Sequence, residues 1–567
     1  MDRNLVLAIV LSIVIILGFQ FLYQAYAPPP KKPPVTTEAP KQVVAPESRK
    51  EEPARAAAPV ASPQMGSESS VKQATREQTV PGTEVLVRVD SPKYEAVLSS
   101  RGGKIISFKL KDYTATLNSN EPVNLFNTEG PDTSGPSIMF TKRDETFVDS
   151  ALEYDAESPH SIVLNDSDAQ QTVVFKATTS AGVTVTKKFT FKAENYEIGF
   201  SFTLHNKSNE SRNYLITLPW RKFFHPDAGS RFSWDSAEIL LNGELKDYAF
   251  KDIKGEEEPS GQVEWAGLGD VYFFKALVFA KNPANKVSLL KPKDDTAEIR
   301  VRYGALDLAP GETGEINLSV YLGPKERQAL TAAGDNLSKA LVYSYYKVLD
   351  VMAKYLMAFL RFCNSGFEIA GIRVPGTHNY GWDIILLTIL IKILFIPLTH
   401  KSMKSMKRMQ EIQPQIAKLK EKYKDDKSAL NKATMELFRD QKVSPLGSCW
   451  PMFLQLPVFI ALYQALSYAI ELRHAHFLCI PSIYLCINDL SAPDPYYVTP
   501  ILMGGTMVLQ QWLTPSGGDP TQKKMMLLMP VVFTYLFLNF PSGLVLYWLV
   551  NNMLSIGQQV ITNKMAK

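Results

Sequence analysis

The sequence predicts a multi-pass α-helical membrane protein with six spans, a large periplasmic β-sandwich domain and a cytoplasmic helical hairpin. Three observations lead to this fold class. Charged residues almost vanish from several windows of about 16–20 residues, one at the N-terminus and the others after residue 380. Apolar and polar residues alternate along much of 83–327, and the segment 400–442 is strongly basic. Together these patterns indicate a membrane protein with a large soluble insert.

The N-terminal apolar run, Leu5–Tyr23, is followed by a segment with few apolar residues. As a helix the run extends for about 28 Å, which is close to the hydrocarbon thickness of about 30 Å. Residues 1–27 are therefore predicted to form an uncleaved signal-anchor span, and removal as a signal peptide is the alternative. Residues 28–82 are rich in Pro, Ala, Lys, Glu and Ser and are predicted to be a disordered periplasmic linker. A binding role for its prolines is the alternative to a plain spacer.

The segment 83–327 carries the alternation of β-strands, as in Tyr196–Asn206, without intervening helical patterns. Many such strands in succession predict a β-sandwich domain. The segment contains no cysteine, no phosphate-binding loop and no His/Cys cluster with metal-ligand spacing. Aromatic core packing explains Trp220, Trp234 and Trp265, and a carbohydrate-type cleft is the alternative.

Residues 328–379 are predicted to connect this domain to the membrane core. Apolar residues recur at helical spacing over Leu337–Phe362, while Lys347 and Asp350 fall off that stripe. The segment is too polar to span a bilayer and favours a helix lying in the membrane interface. Packing against the β-domain is the alternative, and the two arrangements are not exclusive.

Residues 380–567 are predicted to form the membrane core. Five apolar segments follow one another there, and with the N-terminal anchor they make six spans: about Tyr380–Thr399, Leu446–Tyr468, Tyr496–Leu513, Met525–Phe540 and Leu544–Ile561. The segment 400–442 carries twelve Lys or Arg against six Asp or Glu, and such an excess marks the cytoplasmic side. Counting spans from there places both termini in the cytoplasm and the β-domain outside, which is the periplasm of a bacterium.

Cys479 and Cys486 fall on the outer side of the membrane in this arrangement. An oxidising compartment favours a disulfide between them. Two buried free thiols are the alternative.

The basic segment 400–442 contains helical periodicity and no strand pattern. It predicts two antiparallel helices joined near Asp425–Lys427, the first of them kinked at Pro414. Flexible thioethers and positive charge predict a recruitment surface for a partner at four residues: Met403, Met406, Lys407 and Met409. The basic face would suit ribosomal RNA or anionic lipid. A self-contained hairpin with solvated lysines is the alternative.

Lys392 lies inside the first span of the core, where a lysine costs about 2.5–3.5 kcal/mol on insertion scales. It precedes Thr399 by seven residues, so snorkelling over about 10 Å to the cytoplasmic end is one explanation. Other polar residues in the spans favour a second explanation, a partly hydrated groove open to the cytoplasm: Thr388, Gln455, Gln511, Asn552 and Ser555.

Four long stretches carry a resemblance to a known family: "NYGWDIILLTILIKILFIPLT", "VSPLGSCWPMFLQLPVFIALYQAL", "DLSAPDPYYVTPILMGGTM" and "MPVVFTYLFLNFPSGLVLYWLVNN". They resemble the YidC membrane protein insertases, and the likeness extends over essentially the whole chain, with the Gram-negative domain order. The resemblance implies a five-helix insertase core in which a positive charge on the second span faces a hydrophilic groove. Lys392 occupies that position, where the family usually has arginine. Lysine offers a point charge in place of a bidentate fork.

The resemblance also implies a function and a set of partners. The apolar residues that contact a substrate in the family correspond here to Phe459, Tyr547 and Trp548, which would otherwise be read as lipid-facing or core aromatics. The implied role is insertion and folding of nascent membrane proteins in the inner membrane, alone or with the Sec translocon, without enzymatic activity or a cofactor. The implied partners are nascent membrane proteins, the Sec translocon with its accessory SecD and SecF, the ribosome, the signal recognition particle receptor and membrane lipids.

Two functions of other classes compete with this one. A secondary transporter of a small anion would use the embedded lysine as its binding group, but the five clustered spans show no internal repeat. A periplasmic sugar-active enzyme would need a pair of carboxylates, which the sequence does not locate.

Overall fold

A computed structural model describes residues 84–565 of the chain, apart from 118, 127–132, 143–144, 166–168, 224–234, 280–285, 294–295, 370–371, 425, 442–449, 481–484 and 514–519. The predicted N-terminal anchor and linker lie outside the described residues, as does Trp234. All of the described residues belong to one compact unit.

The first part of the described chain consists of strands in three sheets. Their bounds are β1 Leu86–Asp90, β2 Tyr94–Ser99, β3 Lys104–Thr114, β4 Pro122–Asn124, β5 Met139–Lys142, β6 Glu145–Val148, β7 Asp155–Ala156, β8 Ser161–Val163, β9 Gln170–Thr178, β10 Val183–Lys192, β11 Glu197–Asn206, β12 Arg212–Phe223, β13 Ser236–Leu241, β14 Glu244–Ala249, β15 Val263–Gly269, β16 Phe273–Val278, β17 Lys286–Lys293, β18 Thr296–Leu308 and β19 Thr313–Pro324. One sheet has the order β4-β3-β2-β1-β8, a second β14-β13-β15-β16-β19-β11-β10-β9-β7, and a third β17-β18-β12-β5-β6. The pairs are antiparallel except β1 with β8.

Alternating side chains explain why these strands assemble. Along β11 every second residue is buried, which is the period that places one face of a strand in a core. Tyr94 on β2 lies 6.3 Å from Phe191 on β10 between ring centroids, and the ammonium of Lys275 on β16 lies 5.9 Å from the ring of Trp220 on β12. The nine-stranded sheet is thus packed against both of the others.

One ion pair lies entirely inside this β-rich region. Nζ of Lys187 is 2.5 Å from Oδ2 of Asp149, and neither side chain is exposed. The ammonium also donates to the carbonyl oxygen of Gly102, and Tyr154 donates to the same Asp149 carboxylate. Burial lowers the pKa of Lys187, while Asp149 opposes that shift. The pair is hydrogen-bonded on both sides, which a buried charge pair requires.

The second part of the chain is helical, with two short hairpins. The helices are α1 Arg327–Ala333, α2 Lys347–Ser365, α3 Tyr380–Glu411, α4 Gln413–Lys422, α5 Lys427–Asp440, α6 Trp450–Tyr468, α7 Val498–Leu513, α8 Pro520–Phe537 and α9 Ser542–Met565. The hairpins pair β20 Gly366–Ile369 with β21 Ile372–Pro375, and β22 Leu478–Ile480 with β23 Leu485–Ile487.

The predicted interfacial helix is shorter than the sequence suggested. A 3-10 turn covers Leu337–Ala340, and α2 begins only at Lys347, where the backbone N–H of Tyr343 donates to the Asp350 side chain. One face of α2 is buried against α3 and α6, while Val348 and Tyr355 on the other face are about three-quarters exposed. An exposed apolar face is what an interfacial helix presents to lipid.

The basic segment also differs from its prediction in one respect. Helix α3 runs without interruption from the apolar stretch as far as Glu411. The sequence predicted a kink at Pro414 within one helix. The structure instead has a break between two helices at Ile412, and Pro414 is the second residue of α4. Proline lacks an N–H and fits the first turn of a helix, so it starts a new helix here. Helices α4 and α5 then meet around Asp426, whose side chain caps α5.

Residues Tyr380–Met403 of α3 are long and apolar enough to cross a membrane, and Leu454–Tyr468 of α6 and Leu528–Phe537 of α8 are shorter apolar helices. Large apolar side chains point outward from these helices, with Leu394 71% exposed and Tyr535 72% exposed. Such surfaces suit hydrocarbon better than water.

The β-rich region contacts the helical part through the segment after α6. Arg473 donates to the carbonyl oxygen of Ala115 at 3.0 Å, and its guanidinium lies 5.7 Å from the ring centroids of both Tyr272 and Phe273. The Thr114 hydroxyl is 2.9 Å from Nδ1 of His474. Burial lowers the pKa of His474, and the neighbouring Arg473 adds to that effect.

Candidate functional site

Helix α9 makes polar contacts with α3 along their shared surface. Nζ of Lys392 donates to the Ser555 hydroxyl at 2.5 Å, and Nε2 of Gln558 donates to the Thr399 hydroxyl at 2.9 Å. From the first contact to the second, the residue number rises along both helices, so α3 and α9 run in the same direction here. The Ser555 hydroxyl in turn donates to the carbonyl oxygen of Asn551. The ammonium of Lys392 is therefore held by a side chain that has its own backbone acceptor.

The same helix contacts α6 and α7 through polar side chains. Nε2 of Gln455 on α6 lies 3.4 Å from the Tyr547 hydroxyl. Nδ2 of Asn552 donates to the hydroxyl of Thr506 on α7 at 3.3 Å. Unpaired polar groups are costly in hydrocarbon, so such contacts stabilise helix association there. Helix α9 thus brings Lys392, Gln455, Asn552 and Ser555, all predicted groove residues, into contacts around one helix.

Two other predicted groove residues are placed differently. Thr388 is 1% exposed and donates its hydroxyl to the carbonyl oxygen of Ile384 in its own helix, at 2.7 Å. This bond uses the hydroxyl proton within the helix, and because the side chain is buried, Thr388 does not present its hydroxyl at a surface. Gln511 is half-buried on α7, and within the described chain no hydrogen bond joins it to Lys392.

An aromatic cluster lies beside these polar contacts. Phe459 on α6 packs edge-to-face on Trp548 of α9, with 5.0 Å between centroids. Trp548 also contacts Phe533 and Phe537 of α8 at 6.2 and 5.3 Å. Phe459 and Trp548 are half-buried, whereas Tyr547 is fully buried. Of the three predicted substrate-contacting residues, two therefore reach a surface in this conformation and Tyr547 does not.

The predicted recruitment surface lies at the far end of α3. Met403 and Met409 are half-buried on this helix. The side chains of Met406 and Lys407 lie outside the described residues. Met435 on the neighbouring α5 is 64% exposed, which adds an exposed methionine that the sequence analysis did not select.

The N-terminal end of α3 contacts a disulfide-closed hairpin. Cys479 on β22 and Cys486 on β23 are bonded to each other. The Asn379 side chain donates to the carbonyl oxygen of Phe477, and the Phe477 ring packs edge-to-face on Trp382 at 5.6 Å. A side chain at Gly381 would collide with Phe477, so this close approach requires glycine.

One buried ion pair near this end was not found from the sequence. Nη1 of Arg361 on α2 donates to Oε1 of Glu471 at 2.7 Å, with side-chain exposures of 14% and 7%. The pair joins α2 to the segment after α6. Arg361 stands in an otherwise apolar stretch of α2, and that isolation is a usable signal for a buried partner. Across the described ranges, no group of three His, Cys, Asp or Glu residues is placed to hold a metal ion.

Comparison with known proteins finds a matching family model for each of the two parts of the chain. Residues 86–359 match the family model of the YidC periplasmic domain, and residues 373–567 match that of the 60Kd inner membrane protein. The chain is 38% identical to the membrane protein insertase YidC of Syntrophus aciditrophicus over 582 residues, covering 100% of both chains. It is also 38% identical to the protein of that name from Maridesulfovibrio salexigens, covering 98% of both. A crystal structure of an active YidC insertase aligns with 85% of this chain and 93% of its own, at 19% identity and a TM-score of 0.37.

Proposed function

The chain belongs to the YidC family of membrane protein insertases, and from this premise we propose how it moves nascent membrane proteins into a bacterial inner membrane. Its relatives carry the name of membrane protein insertase, a role without bond chemistry. The observation that carries the proposed mechanism is the contact between Lys392 and Ser555 within a set of polar residues around α9.

The first step uses the charge of Lys392. A polar or acidic flank of a substrate must cross the hydrocarbon layer, where an uncovered charge costs several kcal/mol. Polar side chains of α3, α6, α7 and α9 line a hydrophilic groove open to the cytoplasm, and water in this groove shortens the apolar distance. Lys392 attracts the acidic flank and holds it in the inner leaflet until the rest of the segment follows.

The second step uses the aromatic cluster. The apolar helix of the substrate passes along Phe459 and Trp548, which are half-buried, and enters lipid. Tyr547 joins this path only when α6 moves away from α9, because its hydroxyl meets Gln455 between the two helices. Transfer of apolar surface into lipid drives the release of the substrate.

The cytoplasmic helices recruit what delivers the substrate. Met403 and Met409 provide adaptable apolar contacts, and the excess of Lys and Arg in 400–442 attracts anionic partners. The ribosome, the signal recognition particle receptor and anionic lipids fit this chemistry. Cooperation with the Sec translocon, including SecD and SecF, belongs to the same proposal.

The proposed arrangement in the membrane has six spans with both termini in the cytoplasm. Residues 1–27 form the signal anchor, 28–82 the periplasmic linker and 83–327 the periplasmic domain. Residues 328–379 carry α2 along the interface, and 380–567 form the five-helix core with its hairpin 400–442. The exposed apolar surfaces of α3 and α8 support this assignment.

Reconstitution tests the function directly. The purified chain is placed in liposomes, and ribosomes translate a single-span substrate with an acidic flank in their presence. We expect a protease-protected flank with the chain and none in empty liposomes. Equal protected fractions in liposomes with and without the chain would contradict the insertase function. Uptake of a small anion by the same liposomes would instead favour the transporter, which the names of the relatives do not support.

A further inference from the structure

A cavity of about 190 Å³ opens in the β-rich region between the nine-stranded sheet and the sheet that contains β12. It has the volume of about six water molecules, which suits a compact organic group. The cavity is lined by residues of β5, β6, β10 and β12 and of the turn after β9. They include Phe140, Lys142, Phe147, Val183, Arg212 and Tyr214. Nothing in the insertion mechanism above uses this cavity.

The walls of the cavity are apolar and largely aromatic. Phe140 stacks on Phe147 at 6.0 Å between centroids and meets Tyr214 edge-on at 5.8 Å. Phe140 and Val183 are buried, while Phe147 and Tyr214 are half-buried. Such a surface favours a planar or branched apolar body over a fully polar one.

The charged groups at the cavity are both positive. Lys142 is half-buried and stands opposite Glu145 in the β5–β6 register. Arg212 donates to the carbonyl oxygen of Ala181 at 3.3 Å and pairs with Glu210 at 3.4 Å, a side chain that is 74% exposed. No Asp or Glu is among the described residues that line the cavity. Among its described lining residues, the cavity therefore combines an apolar interior with two cations, of which Arg212 already pairs with Glu210 at the rim.

We propose that this cavity binds a compact apolar carboxylate. The carboxylate accepts hydrogen bonds from Lys142 and Arg212, which are the side chains suited to that anion. The apolar body lies against Phe140, Phe147 and Tyr214. Two sources carry this chemistry, a free aryl or alkyl acid and the C-terminal residue of a polypeptide with an apolar side chain.

Calorimetric titration of the full chain in detergent with 3-phenylpropionate and with 3-phenylpropanamide tests the proposal. The two probes share the apolar body and differ in charge. We expect the acid to bind at least about tenfold more tightly than the amide, and its affinity to fall as salt rises. Equal binding of both probes, or binding of neither at millimolar concentration, would overturn the proposal.

A matched pair of variants locates the site. Lys142→Met should weaken binding of the acid by about tenfold, whereas Lys142→Arg should retain it. Lys188→Met removes the same charge from an exposed position on β10 and should leave the affinity unchanged. Equal affinities of the wild type and Lys142→Met would refute this location, and the wild-type comparison of acid and amide stands even if a variant fails to fold.

Two peptides distinguish the sources. One ends in a free phenylalanine carboxylate, and the other is the same peptide with an amidated C-terminus. Binding of the free-ended peptide alone supports recognition of polypeptide ends. Exclusion of both peptides while 3-phenylpropionate binds supports a free acid. Equal binding of the two peptides contradicts carboxylate recognition.

Discussion

Replacing Lys392 by leucine removes the charge that the proposed mechanism places in the membrane and leaves a shorter, apolar side chain. The change also removes the contact with Ser555. Because leucine is easily accommodated in a helix within lipid, we expect the variant to fold and insert normally. Any loss should then appear in the handling of charged substrates rather than in the amount of protein.

The expected magnitude follows from the position of Lys392. At a separation of about 6 Å, two unit charges interact by about 3 kcal/mol at an effective dielectric constant of 20 and by about 0.7 kcal/mol in bulk water. These limits correspond to about 100-fold and about threefold in rate. Lys392 is half-buried beside polar side chains, so its environment lies between these limits. We expect about a tenfold slower insertion of a substrate with an acidic flank.

The assay compares two single-span substrates that differ only in the charge of the translocated flank. Insertion rates are measured by protease protection in liposomes that contain the wild type, Lys392→Leu or Lys564→Leu. Lys564 is exposed in the last turn of α9, so its replacement removes one positive charge at a position that lies away from the groove. The substrate with an uncharged flank should slow by less than about twofold in Lys392→Leu.

Two results would refute this reasoning. Undiminished insertion of the acidic substrate by Lys392→Leu would remove the charge-attraction step. An equal loss for the acidic and uncharged substrates would show that Lys392 acts through the packing of α3 on α9 and not through its charge. Lys392→Arg restores the charge with a forked donor and should insert both substrates at rates close to those of the wild type.

Three further predictions concern the parts that support the site. Lys187→Met leaves Asp149 buried without its cation and should destabilise the β-rich region by about 3–5 kcal/mol. Hydrogen exchange in the full chain measures this loss against the exposed control Lys188→Met, and unchanged protection of β10 would contradict the role of the pair. Arg473→Ala should cost about 1–2 kcal/mol at the junction with the helices and speed exchange in β3 and β16, whereas unaltered exchange there would show that the junction does not depend on this side chain. Joint replacement of Cys479 and Cys486 by serine should lower the stability of the hairpin by about 2 kcal/mol. Mass analysis of the wild type should find those thiols alkylated only after reduction, and alkylation without reductant would disprove the bridge.

Helix existence and type followed from sequence periodicity, but helix ends did not. The apolar pattern placed α2 as early as Leu337, yet the helix starts at Lys347, and the Asp350 side chain accepts a hydrogen bond from the backbone N–H of Tyr343 in the segment before it. The pattern ended the first core span at Thr399, whereas α3 continues to Glu411. The intervening residues are compatible with a helix, and the break falls at Ile412, just before Pro414 at the second position of α4.

The site shows the same division between residue type and placement. The depth of Lys392 in its helix could be read from the sequence, but its partner lies 163 residues away and is fixed by how α3 packs on α9. Tyr547 and Trp548 are adjacent and look equivalent in the sequence. A helix turns about 100° per residue, so one of them points into the bundle and is buried while the other reaches its surface. That distinction depends on the neighbouring helices.

Photocrosslinking from Phe459 to ribosome-bound nascent membrane proteins of increasing length tests the central claim most directly. Leu394 serves as the control position, because it lies on the side of α3 opposite Lys392 and is 71% exposed. The proposed path predicts adducts at Phe459 that appear when the substrate helix emerges and disappear as the chain lengthens, with far fewer at Leu394. No adducts at Phe459 at any length, or equal adducts at both positions in folded protein, would contradict an insertion path along this groove.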